Sequence, residues 1–360
     1  MRKFFLLAPL VLLTACGGGG SADPTTTVAT TTVAPTTLAP TTTTEATTTT
    51  TTIPVPTMPL TGLPVVDAAA AARPAIVAKI DNHPGARPQS GLNSADMVYE
   101  ENVEKWTRFA VVFHTNGSDP VGPLRSGRTQ DIDLLMSLNK PLLLWSGGNA
   151  SVTTAINKSE LVNMSASAAS NGGGFFRSTD KKAPHNLYSK TTNIWALDAG
   201  RGGTPPAQFE FRATDEVFAG VDVTGLKLTM DGSMRASWLW DATSAMFLRF
   251  HESKTHEDAD GSQVAFENVV VIVCEYKVSA ADPRSPEAQT VGGGAAWVFS
   301  QGRMVEGTWS RADNHAPWTL VDAAGSPIGL TPGRTWVELI REGQAVSVPA
   351  GTALDDVEWP

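Results

Sequence analysis

The stretch IDNHPGARPQSG ends a run of apolar residues with a dense group of hydrogen-bonding side chains. Carboxylate, imidazole and guanidinium groups at a strand end can bind an anion or move a proton. Clefts at strand ends are also where α/β sheets usually bind ligands. The stretch therefore predicts a polar site, although the same groups could instead satisfy the backbone of a tight loop. Its candidate residues are Asp81, Asn82, His83, Arg87, Gln89 and Ser90.

Further charged residues stand near the ends of the next predicted elements. Glu100 and Glu104 have period-2 spacing, which predicts that they share one face of a second strand, and Arg108 opens a third strand. The segment GPLRSGR then places two guanidiniums at a predicted helix start, where free N–H groups favour an anion. The residues concerned are Arg125 and Arg128, with Ser126 as the expected N-cap.

A later loop, DKKAPHNLYSK, completes the set of candidate ligand-binding residues. It contributes Lys182, His185, Asn186 and Tyr188. We expect this loop to meet the loops that follow Ile80 and Gly122, so that segments distant in the sequence form one charged cleft. If they do not meet, the polar residues have only local structural roles.

Two different residue patterns, one in each half of the chain, predict the fold class. Strand-like stretches (PAIVAKI, DMVYEENV, TRFAVVFH, PLLLWSG) alternate with helical ones (RSGRTQDIDLLMSLNK, ASVTTAINK, TTNIWALDAG), and Thr192 or Asn193 is the expected cap of the last helix. This predicts an α/β domain with a mixed sheet and flanking helices. After GRGGTPPAQFEF come short strands separated by turn residues, which predict a mainly antiparallel β domain, as a meander, barrel or sandwich. Its Trp238 and Trp240 could line a sugar-binding face or pack the core.

The first residues indicate export. Arg2 and Lys3 precede the short apolar run FFLLAPLVLL, as in a secretory signal peptide, and LTAC resembles a bacterial lipoprotein lipobox. Cys16 would then be the first mature residue and carry a diacylglycerol with acyl chains such as palmitate, which anchors the protein to the outer face of the membrane. The Thr- and Pro-rich segment that follows should be a disordered tether.

These patterns give a predicted division of the chain. It consists of a signal peptide (1–15), a lipidated tether (16–57), an α/β domain (58–205), a linker (206–214), a β-rich domain (215–345) and a tail (346–360).

Composition excludes several classes of function. The formal net charge of −9 argues against a nucleic-acid binder. Cys274 lies in the apolar run VVVIVCEY and should be a buried thiol. The spacing in HESKTHEDADG fits no standard metal site, so a solvated turn is expected for His251, Glu252, His256, Asp258 and Asp260. We expect no metal and no cofactor, and no GxSxG, SxxK, HExxH or paired-carboxylate signature supports a catalytic role for the candidate residues.

Several motifs together resemble the YerB-like lipoproteins, a bacterial family with domains of unknown function. They are PLTGLPV, IDNHPGARPQSGL, ADMVYEENVE, VGPLRSGR and KKAPHNLY in the first half, and HEDADG, FENVVV, RMVEGTWS and LTPGRTWVEL in the second. The resemblance covers roughly residues 59 to 342 in order. It implies a two-domain protein anchored in the cell envelope, and it supplies no reaction.

Three functions are consistent with these observations. The N-terminal domain could bind an anionic cell-wall component or an envelope partner through its polar cleft. It could instead be a wall-acting hydrolase or transferase in which His83 or His185 is the general base. A scaffold for envelope machinery is the third, and whether the protein is an enzyme stays open.

Overall fold

The structure is a computed structural model that describes residues 55–360. The predicted signal peptide, Cys16 and the tether up to residue 54 lie outside the described residues. With 38% strand and 13% helix the protein is β-rich, and its centre is a large mixed sheet. Within residues 55–360, the helices are all too short or too polar to cross a bilayer.

The described residues contain four α-helices and twenty strands. The helices are α1 (Ala68–Ala72), α2 (Gln130–Leu135), α3 (Ala150–Lys158) and α4 (Thr191–Ala196). The strands of the first half are β1 (Ile76–Asp81), β2 (Met97–Val103), β3 (Trp106–Phe113), β4 (Leu142–Leu144), β5 (Val162–Asn163), β6 (Phe176–Arg177) and β7 (Leu187–Tyr188).

The second half contributes thirteen of these strands. They are β8 (Val221–Met230), β9 (Met234–Asp241), β10 (Met246–His251), β11 (Lys254–Thr255), β12 (Ala265–Phe266), β13 (Asn268–Val273), β14 (Tyr276–Val278), β15 (Pro286–Ala288), β16 (Gly292–Ser300), β17 (Arg303–Arg311), β18 (Thr319–Asp322), β19 (Thr335–Ile340) and β20 (Ala345–Pro349). Short 3-10 turns occupy Pro84–Ala86, Leu92–Ser94, Met136–Leu138, Asp231–Ser233 and Leu354–Asp356.

One sheet runs through both halves of the chain. Its strand order is β11-β10-β9-β8-β17-β16-β13-β19-β2-β3-β1-β4-β5, with β12, β18 and β20 attached to β10, β17 and β8. The halves join where β19 pairs in parallel with β2, from Thr335 opposite Met97 to Glu338 opposite Glu100. The second half therefore extends the sheet of the first instead of forming a barrel or sandwich by itself. The boundaries of the two predicted domains stay a prediction.

Both faces of the central sheet are buried, because successive side chains of its strands pack alternately into two apolar clusters. In β1, Ile76, Ala78 and Ile80 pack into one apolar cluster, whereas Val77 packs into another on the opposite face. All six residues of the strand are buried. This explains why PAIVAKI reads as a continuous apolar run, which is typical of a strand covered on both sides.

Three neighbouring strands at one end of the sheet are parallel. β4 pairs in parallel with β1, and β5 pairs in parallel with β4, so their carboxyl ends point to the same edge. Beyond the end of β4, the loop that precedes α2 takes its place beside β1, where Arg125 donates its backbone N–H to Lys79 O at 2.8 Å. This edge carries the candidate site.

Two helix starts differ from the prediction. The helix expected after Ser126 begins at Gln130 with Thr129 as its N-cap, because the residues before it hydrogen-bond to β1. The last helix begins after Lys190, not after Thr192 or Asn193. By contrast, α3 covers the predicted stretch ASVTTAINK, and the side chain of Asn149 caps it by accepting from Val152 N at 2.9 Å.

The segment predicted as a linker is packed against the domain before it. Gln208 is buried and exchanges two hydrogen bonds with Ser137, one of them 2.7 Å long. Phe209 is also buried, and Phe211 forms a bridge with Leu330. This part of the chain therefore connects the two halves through contacts as well as through sequence.

Candidate functional site

Asp81 is the point at which three distant loops meet. It is the last residue of β1, and its side chain is almost fully buried. One carboxylate oxygen accepts the backbone N–H of His83 at 3.1 Å. The other lies 2.6 Å from His185 Nδ1 and 3.2 Å from Arg125 Nε. The structure thus brings together the loops that follow Ile80, Gly122 and Lys182, as the sequence predicted.

Two imidazoles stack at the surface of this cluster. The rings of His83 and His185 lie 4.1 Å apart and are inclined by only 9°. His83 Nδ1 accepts the N–H of Gly85 at 3.0 Å, so its proton is on Nε2. His185 Nδ1 donates to Asp81, and in the neutral form of this ring its Nε2 is an acceptor. With both rings neutral, a donor and an acceptor lie next to each other.

The environment of His83 keeps it neutral. Partial burial lowers the pKa of His83 below 6.5, and the neighbouring His185 lowers it further. Gly85 lies against the stack, and a Cβ at this position would come into close contact with it, 3.3 Å from His83 Nδ1 and 3.4 Å from His185.

Arginines and an aromatic ring surround the stacked pair. Trp106 packs edge-on against His83 with ring centroids 5.0 Å apart, and about a third of its surface is exposed. The Arg125 side chain is 26% exposed, and no partner for its two Nη groups is found within residues 55–360. The Glu104 carboxylate lies between two guanidiniums, with Oε2 3.7 Å from Arg108 Nη2 and Oε1 2.5 Å from Arg128 Nη2. Guanidiniums outnumber carboxylates here in a protein that is acidic as a whole.

Several predicted site residues have structural partners instead. Arg128 is buried and donates to Glu104, to Gly127 O and to Ser285. Its backbone N–H is bonded to Asp131 Oδ2 at 2.8 Å, and the helix begins beyond it, so the anion site predicted at the helix start does not form. Arg87 donates twice to Asn82. Burial, together with the charge of the nearby Arg128, lowers the pKa of Arg108 to about 10.

The residues Gln89, Ser90 and Asn82 fix the loop after β1. The Gln89 amide donates to Asp81 O at 3.0 Å, and Ser90 exchanges backbone hydrogen bonds with Gly122. Asn82 Nδ2 donates to Thr107 Oγ1 at 2.7 Å. These groups are buried and hold the loop in place beneath the histidines.

Glu100 and Glu104 do not share a face. Strand β2 ends at Val103, so Glu104 lies in the following turn. Glu100 instead points into a buried polar network, where its carboxylate lies 2.5 Å from Arg249 Nη2. Arg249 Nη1 in turn lies 2.8 Å from His256 Nδ1, and His256 Nε2 lies 2.9 Å from Gln89 Oε1. This network joins the two halves of the molecule.

In the loop DKKAPHNLYSK, the lysine that contacts the site is not the predicted one. Lys182 is exposed, whereas Lys181 Nζ donates to Ala86 O and to the Tyr188 hydroxyl, each at 2.8 Å, and to Pro88 O. Asn186 is buried and donates to Ser178 O and Lys181 O. Lys181 therefore ties the His185 loop to the His83 loop.

The residues missed by sequence reasoning follow two other strands. A cavity of about 400 Å³ opens after β4 and β5, and its lining includes Ser146, Gly147 and Ser165. The sequence signal was the motif WSGG directly after an apolar strand, since glycines at a strand end permit close approach of a ligand to the backbone. Trp106 was missed because a single aromatic residue near a turn carries no pattern.

The histidine-rich turn in the second half is part of the fold. His256 is buried in the network described above, and Asp258 accepts the backbone N–H groups of Gly91 and Asn93 at 3.1 and 2.9 Å. Within the described part of the chain, no three His, Cys, Asp or Glu side chains are grouped as metal ligands. Cys274 is buried, and burial raises the pKa of its thiol to about 12.

Comparisons with known proteins agree with this architecture. Residues 60–204 match the family model described as "Protein of unknown function (DUF3048) N-terminal domain", and residues 226–337 match the corresponding C-terminal domain. The chain is 26% identical over 284 residues to "Putative lipoprotein YerB" of Bacillus subtilis (strain 168), which covers 76% of this chain and 83% of that protein.

A solved structure has the same fold. The crystal structure of the YerB protein from Bacillus subtilis superimposes with a TM-score of 0.71 at 22% sequence identity. The match covers 81% of this chain and 99% of the other.

Proposed function

The chain belongs to the DUF3048 family, and from this premise we propose that it is an envelope lipoprotein that binds an anionic component of the cell wall at Asp81, Arg125, His83 and His185. The name of its Bacillus subtilis relative supports anchoring as a lipoprotein, since that protein is named as one. Lipidation at Cys16 would keep the site outside the membrane, within reach of the wall.

The observation that carries the binding proposal is the arrangement of donors around Asp81. Arg125 Nε lies 3.2 Å from the Asp81 carboxylate as an ion pair, and within residues 55–360 the guanidinium makes no hydrogen bond to the protein. Nε2–H of His83 adds a neutral donor beside it. A guanidinium fork with a neighbouring imidazole donor suits a phosphate or carboxylate oxygen. The exposed face of Trp106 provides apolar surface at the edge of the same patch.

Arg125→Gln should weaken binding to purified cell wall about tenfold or more, because hydrogen bonds to charged groups contribute roughly 1.5–3 kcal/mol. The measurement is co-sedimentation of the described part of the chain with isolated wall, with and without its anionic polymers removed. Arg284→Gln is the matched control, since the Arg284 side chain is 84% exposed and lies outside the cluster. Binding by the wild type should also decrease with added salt.

Unchanged wall binding by Arg125→Gln, at an unchanged melting temperature, would contradict the proposal. Wall binding that survives removal of the anionic polymers would point to a protein partner or to neutral glycan instead.

A hydrolase or transferase is the second candidate, and one observation favours it. His185 Nδ1 lies 2.6 Å from Asp81, so in the neutral form of the ring Nε2 is the acceptor. A carboxylate that orients an imidazole in this way prepares a general base. Release of soluble fragments from wall by the wild type, and its loss in His185→Gln with wall binding retained, would favour this candidate over binding alone.

A further inference from the structure

A polar cavity lies at the carboxyl ends of the parallel strands, next to the proposed anion site. Its volume is about 400 Å³, within the usual range of small-ligand pockets, about 300–1,000 Å³. The lining contains Ser146, Gly147 and Gly148 after β4, Thr153 on α3, and Ser165 and Ser167 after β5. The crevice outside the carboxyl ends of parallel strands is the usual ligand position in α/β sheets.

The chemistry of the walls is hydroxyl-rich and uncharged. No charged side chain is among the residues that line the cavity. Ser165 and Ser167 share a hydrogen bond of 3.0 Å, and Thr153 Oγ1 donates to Asn149 O at 3.0 Å, so each hydroxyl keeps capacity to accept. Within residues 55–360, the Ser146 hydroxyl has no hydrogen-bond partner.

The two glycines expose the backbone to this cavity. Gly147 and Gly148 have φ values of +93° and +149°, which side chains rarely adopt. A Cβ on Gly147 would also come within 2.9 Å of Ser126 Oγ. In the described part of the chain, neither glycine N–H has a backbone acceptor. The lining therefore combines hydroxyl groups with two glycines whose N–H groups have no backbone acceptor in the described part of the chain, a combination that suits a ligand with several hydroxyls.

The cavity adjoins the anion site through the backbone. The N–H of Ser146 donates to Arg125 O at 2.9 Å, and Gly147 approaches Ser126. The cavity therefore lies beside the chain segment that carries Arg125.

We infer that the cavity binds the polyhydroxylated part of the ligand whose anionic group Arg125 holds. The ligand class is a sugar or polyol that bears a phosphate or carboxylate. This inference rests on the proposed function, because it assigns the acidic group to the site at Asp81 and Arg125.

Calorimetric titration of the described part of the chain with four probes tests the inference. Glucose 6-phosphate and glucuronate carry both parts of the ligand, whereas inorganic phosphate and acetate carry only the anion. Ser146→Leu fills the cavity, and we expect it to weaken binding of the two sugar acids about tenfold while it changes the affinity for the simple anions by less than twofold. Arg125→Gln should weaken all four. The matched control is Ser151→Leu, an exposed position on α3 outside the lining.

The double variant Ser146→Ala with Thr153→Val provides a second test without added volume, should Ser146→Leu fail to fold. It should weaken only the sugar acids, by about fivefold. Sugar acids that bind no more tightly than the simple anions, or that bind equally to wild type and both cavity variants, overturn the inference and leave the proposed function intact. Absence of any Arg125-dependent binding, to the probes and to wall alike, overturns both.

Discussion

His114 lies buried directly after β3, and its surroundings predict how the protein responds to acid. Its Nε2–H donates to Arg73 O at 3.1 Å, and its Nδ1 has no partner within residues 55–360. Burial lowers the pKa of His114 to about 4, and the positive charge of Arg73 acts in the same direction. Protonation would therefore place an unpaired charge in the interior.

A group with a lowered folded-state pKa stabilises the fold fully above its unfolded pKa of 6.5 and loses that contribution as the pH falls towards 4. Between pH 8 and pH 5, His114 should lower the free energy of unfolding by about 2 kcal/mol. Urea denaturation of wild type and His114→Gln at both pH values measures this difference. Equal losses in the two proteins would contradict it.

At the same scale, sequence reasoning found the residues around Asp81 but not their roles. Asp81, Arg125 and His185 were predicted because polar groups cluster at strand ends. Arg128 and Gln89 were predicted to bind the ligand, although both are buried. The sequence could not show this, because their partners Ser285 and His256 lie more than 150 positions away. A local pattern cannot show which of several polar side chains turns inward when the partner comes from the other half of the chain.

Among the elements, the pairing of β2 with β19 places two carboxyl groups side by side. Glu338 is the register partner of Glu100, and both are buried. Burial raises the pKa of Glu338 well above its usual value, and the adjacent Glu100 raises it further. Glu100 is instead balanced by Arg249 at 2.5 Å. Burial therefore disfavours the charged form of Glu338, whereas Glu100 forms an ion pair with Arg249.

This difference predicts opposite results for two matched substitutions. Glu338→Gln should change the free energy of unfolding by less than about 1 kcal/mol, because glutamine keeps the acceptor for Trp238 Nε1 and replaces a carboxyl whose charged form burial disfavours. Glu100→Gln should cost about 3–5 kcal/mol, because it leaves the Arg249 charge buried without its partner. Urea denaturation at pH 7 measures both. Similar losses for the two variants would show that Glu338 is charged.

Element positions were more predictable than element ends. The apolar runs that contain β1, β2 and β3 were visible because period-2 or continuous apolar patterns survive in any context. The start of α2 was displaced from Ser126 to Thr129, because the chain just before Ser126 extends the sheet beside β1, where Leu124 bridges to Ile80 and Arg125 bonds to Lys79 O. That pairing is a tertiary contact, and it overrides the local capping preference of serine.

On the scale of the whole molecule, the described residues behave as one compact unit. The shared sheet, the Glu100–Arg249 ion pair and the packed segment around Gln208 all connect the halves that match separate family models. The sequence suggested two domains because the residue pattern changes near residue 205, from alternating strands and helices to short strands separated by turns. No local pattern reveals that an edge strand of one half pairs with a strand of the other.

We therefore expect a single cooperative transition when the protein is unfolded by heat. In differential scanning calorimetry, the ratio of calorimetric to van't Hoff enthalpy should be close to one for the whole chain. The variant Glu100→Gln should lower the temperature of that one transition without splitting it. Two resolved transitions in the wild type would show that the halves unfold independently.

The Glu100–Arg249 pair also has an evolutionary consequence. Glu100 and Arg249 lie 149 positions apart in the sequence, yet loss of either one leaves the other as a buried charge without a partner. A lineage that replaces the acidic residue alone loses about 3–5 kcal/mol of stability, which replacement of the basic residue as well would avoid. The two halves are therefore expected to be inherited together, and an exchange of one half between distant homologues should succeed only when both partners of this pair are exchanged in step.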